Sequence, residues 1–305
     1  MALSARAAAG KTIPLRIWVM AARPRTLPAA VAPVLVGTAV AYFAAGELRW
    51  GPFLGALAGS ILIQIGTNLA NDYSDAKRGA DAADRLGPVR VTSSGLVAPR
   101  RVLYATWVAF AAALAVGIYL ATVAGPEILA VGAVSIAAGV LYTGGPRPYG
   151  YAGLGELFVF LFFGLVAVNG SYYVQLEELD LLPFLLSIPV GFLSTAILVV
   201  NNVRDLDTDA RAGKRTLAVR LGRARTRGLY VALVAASFAL LPVALWLGDG
   251  PAEALIGLAA APLAIPPARA VRTRTDGPAL NGALAGTGTL LAAFSVLLAV
   301  GLMLG

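Results

Sequence analysis

Long apolar runs alternate with short polar segments along almost the whole chain. Nine of these runs approach or exceed the roughly 20 residues that a helix needs to cross the apolar core of a bilayer. They cover residues 27–45, 52–71, 102–124, 126–143, 153–175, 181–202, 228–247, 253–268 and 279–303. Because the runs are continuous rather than alternating residue by residue, they indicate helices and not the strands of a membrane barrel. The pattern predicts an all-α integral membrane protein with nine transmembrane helices.

The eighth run, 253–268, is the least regular of the nine. It is short, and Pro262, Pro266 and Pro267 each remove a backbone donor that a helix would use. We therefore expect a kinked helix there. We also expect one membrane-embedded domain over residues 1–305, in which residues 1–25 form a cytoplasmic or interfacial segment and not a cleaved signal peptide.

The charged residues are distributed unevenly between alternate loops. Of the 24 Lys and Arg residues, 23 lie in the N-terminal segment or after the second, fourth, sixth and eighth runs, and Arg49 is the exception. Cytoplasmic loops of membrane proteins carry such an excess of positive charge. The predicted N-terminus is therefore cytoplasmic and the C-terminus lies outside, which requires an odd number of spans.

Composition restricts the chemistry that the chain can perform. Hydrophobic residues make up 58% of the chain and charged residues 13%, and the chain contains no Cys and no His. Thiolate, disulfide and imidazole chemistry are thereby excluded, and a bound metal would take oxygen ligands, which favours Mg²⁺, Mn²⁺ or Ca²⁺. The net charge of +8 is spread between apolar runs without a binding motif, so no nucleic-acid partner is expected.

A first acidic cluster follows the second run, in the sequence NLANDYSDAKRGAD of residues 68–81. On a helix, Asn68, Asp72 and Asp75 fall at positions i, i+4 and i+7 and would share one face. A carboxylate beside an apolar segment is costly unless a partner compensates its charge. The cluster is followed at once by the basic residues Lys77 and Arg78.

A second acidic cluster follows the sixth run, in the sequence NNVRDLDTDARAGKRT of residues 201–216. Asn201, Asp205 and Asp209 would again share a helix face, whereas Asp207 would point elsewhere. Two such faces turned toward each other would form an oxygen-rich cup at the cytoplasmic end of the bundle. Mg²⁺ commonly binds one or two carboxylates and takes further ligands from substrate phosphates. Carboxylate pairs, adjacent cations and an apolar bundle fit a ligand with a diphosphate head and a hydrocarbon tail.

Two other interpretations of the clusters remain open from the residues alone. The carboxylates can be ordinary polar residues that hold helix ends and pair with nearby arginines. They can also be ion sites of a cation-coupled or proton-coupled transporter, although such sites usually lie near the bilayer midplane. An interaction-only membrane scaffold would leave both clusters unexplained.

At these positions the chain resembles the UbiA-type intramembrane prenyltransferases, which have nine helices and two Asp-rich motifs. Within that superfamily it is most similar to the branch that prenylates 1,4-dihydroxy-2-naphthoate. The matching stretches extend from the N-terminus to the seventh run. They are ARPRTLPAAVAPVLVGTA (22–39), NDYSDAKRGADAADRLGPVRVTSSGLVAP (71–99), GGPRPYGYAGLGELFVFLFFG (144–164) and NNVRDLDTDARAGKRTLAVRLG (201–222).

The resemblance implies a UbiA-like helical bundle and a Mg²⁺-dependent reaction of menaquinone synthesis. A polyprenyl group would pass from polyprenyl diphosphate to 1,4-dihydroxy-2-naphthoate with loss of CO₂, giving demethylmenaquinone and diphosphate. The implied setting is the bacterial inner membrane, with membrane lipid around the bundle and an active site that faces the cytoplasm. Within the superfamily, another acceptor such as 4-hydroxybenzoate, or a haem or chlorophyll precursor, is the alternative.

Carried over residue by residue, the resemblance implies a metal-binding set and a substrate-binding set. The metal ligands would be Asn68, Asp72, Asp75, Asp205 and Asp209, with Asp81 as a further ligand or a loop-ordering residue. Lys214 and Arg215, in the GKRT segment, would contact the diphosphate, or in the alternative would pair with lipid headgroups. Lys77, Arg78 and Asn201 are further candidates for contacts with the diphosphate and its metal because they lie beside or within the acidic clusters.

Three further residues are candidates with structural alternatives. Arg25 could meet a carboxylate or phosphate, or could simply set the topology. Tyr142 could offer its ring to an allyl cation, or could belong to the interfacial aromatic belt. Glu156 is the one acidic residue clearly inside an apolar run, where it is costly. It could bind substrate or could form a structural pair with an arginine.

Overall fold

The structure, a computed structural model, describes residues 13–80 and 86–305. Within these residues the regular structure is entirely helical. The helices are α1 (Leu15–Ala22), α2 (Pro28–Ala45), α3 (Trp50–Lys77), α4 (Pro99–Ala124), α5 (Glu127–Leu141), α6 (Gly155–Leu176), α7 (Leu181–Arg211), α8 (Leu217–Leu247), α9 (Ala252–Thr273) and α10 (Gly277–Leu304).

The predicted apolar runs correspond one by one to α2–α10. Eight of these helices are long and apolar enough to cross a membrane, whereas α5 has only 15 residues. The all-helical membrane fold is thereby confirmed, while the count of nine spans and the side of the N-terminus remain predictions. The expected irregularity of the eighth run is confirmed, because α9 begins as a 3₁₀ helix over Ala252–Ala264.

Local sequence signals explain where several helices begin. Pro28 and Pro99 occupy first-turn positions, where a missing N–H costs no helical hydrogen bond. At the start of α10, the Asp276 carboxylate accepts a 3.0 Å hydrogen bond from the Ala279 N–H. This hydrogen bond, together with the Arg274 guanidinium, lowers the pKa of Asp276. Thr216 caps α8 in the same manner, through the Val219 N–H at 3.3 Å.

Helix α7 lies at the centre of the bundle, and α2, α6, α8 and α10 pack around it. Its crossing with α6 is very close, since a Cβ atom added to Gly164 would lie 2.7 Å from the Gly191 Cα. Glycine at both positions therefore permits the backbones to touch. Over Phe160–Val166, α6 widens into a π-helical segment at this crossing. Such segments often occur at functional sites.

Helix α1 packs against the bundle, while the interfacial position of the N-terminal segment remains a prediction. Ile17 and Trp18 pack against an apolar cluster that includes Leu69 of α3 and Val91 of the following loop. Leu15 points outward with 77% of its surface exposed. Helix α1 therefore contacts both the C-terminal end of α3 and the loop that follows it.

Candidate functional site

A cavity of about 350 Å³ lies between α3, α5, α6 and α7. On α3 its lining residues extend from Ala56 to Asp75. At 1.5 Å per residue this is a length of roughly 28 Å, close to the thickness of a bilayer core. The cavity is apolar along most of this length, and its polar end holds side chains from both acidic clusters. It is therefore elongated and amphipathic.

Asp75 provides the first cluster's carboxylate to the cavity and is only 1% exposed. Its Oδ2 accepts a 2.9 Å hydrogen bond from the Arg90 guanidinium, and its Oδ1 accepts one of 2.6 Å from the Tyr151 hydroxyl. The Lys214 Nζ lies 3.9 Å from Oδ1. Three segments distant in sequence thus converge on one carboxylate, which is the arrangement that a buried charge needs.

Asp205 provides the corresponding carboxylate of the second cluster and is 4% exposed. Both of its oxygens accept hydrogen bonds from the preceding Arg204, at 2.8 and 2.6 Å. The same guanidinium donates to Asn201 at 2.7 Å and to Asn281 of α10 at 2.8 Å. Because the buried Arg204 donates to Asn281, it joins the end of α7 to α10.

Lys214 connects the two clusters. Its Nζ lies 3.4 Å from Asp209 as well as 3.9 Å from Asp75. It also lies 4.7 Å from the centre of the Tyr151 ring, within the range of a cation–π contact. Lys214 is buried and lines the cavity, so this ammonium group is fixed beside both acidic helix ends.

Asp72 takes a different position from the one expected. Its carboxylate accepts hydrogen bonds from the backbone N–H groups of Val91 and Thr92, at 3.1 and 2.9 Å. Asp72 is not among the residues that line the cavity. In this structure it anchors the loop after α3, and that loop in turn places Arg90 on Asp75.

The residue that pairs with Asp75 on the cavity face is Asn71. The two residues are four apart on α3 and both line the cavity, and the Asn71 Oδ1 accepts a 2.8 Å hydrogen bond from Thr143. Asn68 also lines the cavity, where its amide donates to the Ala22 carbonyl at 2.9 Å and to Thr26 at 3.2 Å. The face of α3 that lines the cavity therefore includes Asn71 in place of the predicted Asp72.

The predicted basic residues divide into two groups. Lys214 reaches the cavity, whereas Lys77, Arg78 and Arg215 are exposed outside it. Arg78 donates to the Gly145 carbonyl and lies 5.8 Å from the centre of the Tyr151 ring.

Arg25 is exposed in the turn before α2 and does not line the cavity. Arg23, two residues earlier, does line it, because the chain turns there through a left-handed backbone conformation with φ of 55°. Asp81 lies outside the described residues.

Aromatic side chains form one wall of the cavity near its polar end. The Tyr142 and Tyr149 rings meet edge to face with centroids 5.4 Å apart, and Tyr149 stacks on Phe158 at 4.0 Å. A Cβ atom on Gly150 would lie 2.8 Å from the Tyr142 ring, so glycine permits this packing. Burial raises the pKa of Tyr149, whose neutral hydroxyl donates to the Ala138 carbonyl at 2.9 Å.

Glu156 lies at the start of α6 and is not among the residues that line the cavity. It is 6% exposed, and its Oε1 accepts a 2.8 Å hydrogen bond from Asn202 of α7, which lines the cavity. The partner of Glu156 is therefore an asparagine, and the expectation of a structural pair with an arginine is wrong.

The oxygen donors at the polar end suit a hard divalent cation. Among residues 13–80 and 86–305, no three acidic side chains lie close enough together to hold a metal ion by themselves. Mg²⁺ does not require such a group, since it usually takes one or two carboxylates together with water and phosphate oxygens. Asp75, Asp205 and Asp209, with the amide oxygens nearby, fit that demand.

Comparison with known proteins decides the family. A family model described as the UbiA prenyltransferase family matches residues 30–285. The chain belongs to this family. The 1,4-dihydroxy-2-naphthoate octaprenyltransferase of Mycobacterium tuberculosis is 46% identical over 292 residues, which cover 94% of this chain and 97% of that protein. The Escherichia coli protein of the same name is 36% identical over 272 residues, or 87% of each chain.

The UbiA fold extends over nearly the whole chain. A solved structure of a UbiA homolog from Archaeoglobus fulgidus bound to GPP and Mg²⁺ matches with a TM-score of 0.63. The match covers 94% of this chain and 99% of that one at 15% sequence identity. At so low an identity it shows the fold alone.

Sequence reasoning missed several polar side chains of this site, among them Arg23, Asn71, Arg90 and Tyr151. The Asn71–Asp75 spacing of four was visible in the sequence and equals that of Asn68 and Asp72. The other three lie in loops or turns, where no helical period connects a residue to the site.

Proposed function

We propose that this chain transfers a polyprenyl group from a polyprenyl diphosphate to 1,4-dihydroxy-2-naphthoate, releasing diphosphate and CO₂ and producing the quinol form of demethylmenaquinone. The observation that carries the proposal is the junction of both acidic helix ends with one elongated apolar cavity. A charged diphosphate fits the polar end and a hydrocarbon chain fits the rest. The shared name of the relatives that are 46% and 36% identical supports the naphthoate as acceptor.

The carboxylates of Asp75, Asp205 and Asp209 would hold Mg²⁺ together with the amide oxygens of Asn68, Asn71 and Asn201. When bound, the metal would neutralise the diphosphate and stabilise the charge that the diphosphate gains as it leaves. We assign Asp72 a supporting role, since both of its oxygens accept hydrogen bonds from the loop that carries Arg90.

Lys214 and Arg90 would donate hydrogen bonds to the diphosphate. Both cations are buried against Asp75 within ion-pair distance, so they are placed before substrate arrives. Donors fixed in advance near developing negative charge lower a barrier, because they need no reorganisation during the reaction. Arg23, at the same end of the cavity, could meet the carboxylate of the aromatic acid.

The bond changes follow from the two substrates. The allylic C–O bond breaks and its electron pair leaves with the diphosphate. The ring carbon that bears the carboxyl group forms the new C–C bond, and the carboxyl group then departs as CO₂, which restores the aromatic ring. Tyr142 would present its ring to the allylic cation, and the apolar wall would keep water away from it.

Exposed basic residues around the polar end would serve the site less directly. Lys77, Arg78 and Arg215 would attract the diphosphate headgroup or contact lipid phosphates, and Arg25 would do the same on the side of α2. Because these residues lie at the end that carries the acidic clusters, we propose that this end faces the cytoplasm of a bacterial inner membrane. The exposed aromatic residues Trp107 and Trp246 would contact lipid.

The test is a radiolabelled transfer assay on membranes that contain the chain. It compares 1,4-dihydroxy-2-naphthoate with 4-hydroxybenzoate, with and without Mg²⁺. We expect Mg²⁺-dependent product from the naphthoate. We expect Asp75→Asn and Asp205→Asn each to lower the rate by at least about 100-fold, as for loss of a preorganised charge-stabilising group.

Asp207→Asn is the matched control, because Asp207 lies on the same helix as Asp205 but pairs with Arg223 outside the cavity. It should retain activity. Product from 4-hydroxybenzoate alone would refute the proposed acceptor, and full activity of Asp205→Asn would refute the proposed site.

A further inference from the structure

Glu156 is a buried carboxylate whose bonding is incomplete. Its Oε1 accepts a hydrogen bond from the Asn202 Nδ2 at 2.8 Å, but its buried Oε2 has no hydrogen-bond partner among the described residues. A buried polar atom without a partner is destabilising, and more so when it is charged.

The carboxylate determines how Asn202 is oriented. The Asn202 amide turns its Nδ2 toward Glu156, whose Oε1 accepts the hydrogen bond. Its Oδ1 is then the atom available to another donor. Asn202 lines the cavity, while Glu156 stands behind it. The pair therefore presents one oriented acceptor to the cavity.

The position of Asn202 restricts which ligand can donate a hydrogen bond to its Oδ1. Asn202 precedes Asp205 by about one turn of α7 on the apolar side of the acidic end. Gly155, the residue before the Glu156 that Asn202 contacts, lies against the aromatic wall, since a Cβ atom on Gly155 would lie 3.2 Å from the Tyr142 ring. A flat ring placed against this wall would have its edge near Asn202.

Chemistry narrows the choice of ligand further. An ionised diphosphate offers only acceptor oxygens, so it cannot donate a hydrogen bond to the Asn202 Oδ1. A hydrocarbon chain would leave the amide oxygen without a partner. A neutral hydroxyl is a donor without negative charge, and a hydroxyl on an aromatic ring would satisfy both the amide and the wall.

We propose that Asn202 accepts a hydrogen bond from a ring hydroxyl of the aromatic acceptor, and that Glu156 is a positioning residue that holds the Asn202 amide in the required orientation. This inference rests on the proposed function for the identity of the acceptor. It assigns the acceptor ring to the wall formed by Tyr142, Tyr149 and Phe158. The hydrogen bond would fix which ring carbon faces the prenyl group.

The test removes the hydroxyl from the substrate and the amide from the enzyme in the same experiment. The substrates are 1,4-dihydroxy-2-naphthoate and its two analogues that each lack one ring hydroxyl. The enzymes are the wild type, Asn202→Ala, Glu156→Ala and Glu156→Gln. Both kcat/KM and equilibrium binding of each aromatic acid are measured, together with the KM for the prenyl diphosphate and the midpoint of thermal unfolding.

One of the analogues should lose about tenfold in binding and in kcat/KM with the wild type. Asn202→Ala should lose about tenfold with the full substrate but show no further loss with that analogue, because the two deletions remove one hydrogen bond. Glu156→Ala should behave like Asn202→Ala. Glu156→Gln should retain activity within about threefold, since its amide oxygen can still accept from Asn202. The KM for the prenyl diphosphate should not change.

Additive losses from the two deletions would overturn the inference. So would equal increases in both KM values, or a fall in thermal stability with unchanged selectivity, because each of these would indicate a purely structural role. Failure of the proposed function is distinguishable. If the wild type transferred nothing to the naphthoate yet bound hydroxylated rings through Asn202, the reaction would be refuted and this inference would stand.

Discussion

The two acidic clusters share an Asn–Asp spacing of four residues but use their carboxylates differently. In the first cluster, the Asp72 carboxylate accepts hydrogen bonds from two backbone N–H groups of the following loop, and of the carboxylates in the described part of this cluster only that of Asp75 lines the cavity. In the second cluster, Asp205 and Asp209 both reach it. Helical spacing therefore identifies a helix face but does not decide which residue on that face lines the cavity.

The difference originates in the chain segment after each helix. The segment after α3 returns over the helix end, where Val91 and Val97 pack against Leu69, so its backbone donors need an acceptor that α3 supplies. The segment after α7 turns directly into α8, and it brings the Lys214 ammonium group to 3.4 Å from Asp209. In the first cluster, backbone N–H groups therefore donate to Asp72. In the second, the neighbouring group is the Lys214 ammonium, which itself lines the cavity.

The cations that compensate the clusters also differ in origin. Asp75 is paired with Arg90, which is 15 residues away in a loop, whereas Asp205 is paired with Arg204, its neighbour on the same helix. A buried charge left without its partner is strongly destabilising. The first cluster is therefore formed only when its loop is in place, while the second is formed by α7 and its contact with α10.

The largest expected effect separates Asp75 from Asp72. Asp75→Asn should lower the transfer rate by at least about 100-fold through loss of a cavity carboxylate. Asp72→Asn should lower it only about tenfold, because its effect passes through the loop and Arg90. Transfer kinetics of the two variants, measured side by side, check this order.

Hydrogen exchange distinguishes the two roles independently of activity. The backbone amides of Val91 and Thr92 should exchange faster in Asp72→Asn than in Asp75→Asn, since only Asp72 bonds to them. Equal exchange together with equal loss of activity would show that both carboxylates bind the ligand directly, and the proposed contrast would be refuted.

A smaller effect is expected at Lys214, which joins the clusters. Lys214→Met should raise the KM for the prenyl diphosphate about tenfold, because it removes a charged donor near the leaving group. The adjacent Arg215→Met is the matched control, since Arg215 is exposed and outside the cavity. An equal increase in both variants would mean that the basic segment acts only through its overall charge.

The sequence was sufficient for the fold and for the chemical class of the site. Continuous apolar runs located the helices, and the repeated Asn–Asp spacing identified the two helix ends that meet. It was not sufficient for contacts made by loops. Arg90 and Tyr151 reach Asp75 from 15 and 76 residues away, and nothing periodic connects them to it. For the same reason the asparagine partner of Glu156 was not foreseen, because it depends on how α6 and α7 pack.

The smallest expected effect tests whether the first cluster depends on the loop between α5 and α6. Tyr151→Phe removes the 2.6 Å hydrogen bond to Asp75 but leaves the Arg90 and Lys214 contacts and the ring beneath Lys214. Activity should therefore fall only about threefold, as expected for one net hydrogen bond among several. Tyr149→Phe is the control, since the Tyr149 hydroxyl bonds to the Ala138 carbonyl and not to a carboxylate. A loss from Tyr151→Phe as large as that from Asp75→Asn would mean that the Tyr151 hydroxyl itself contacts the reacting groups, and the first cluster would then include this loop as an equal part.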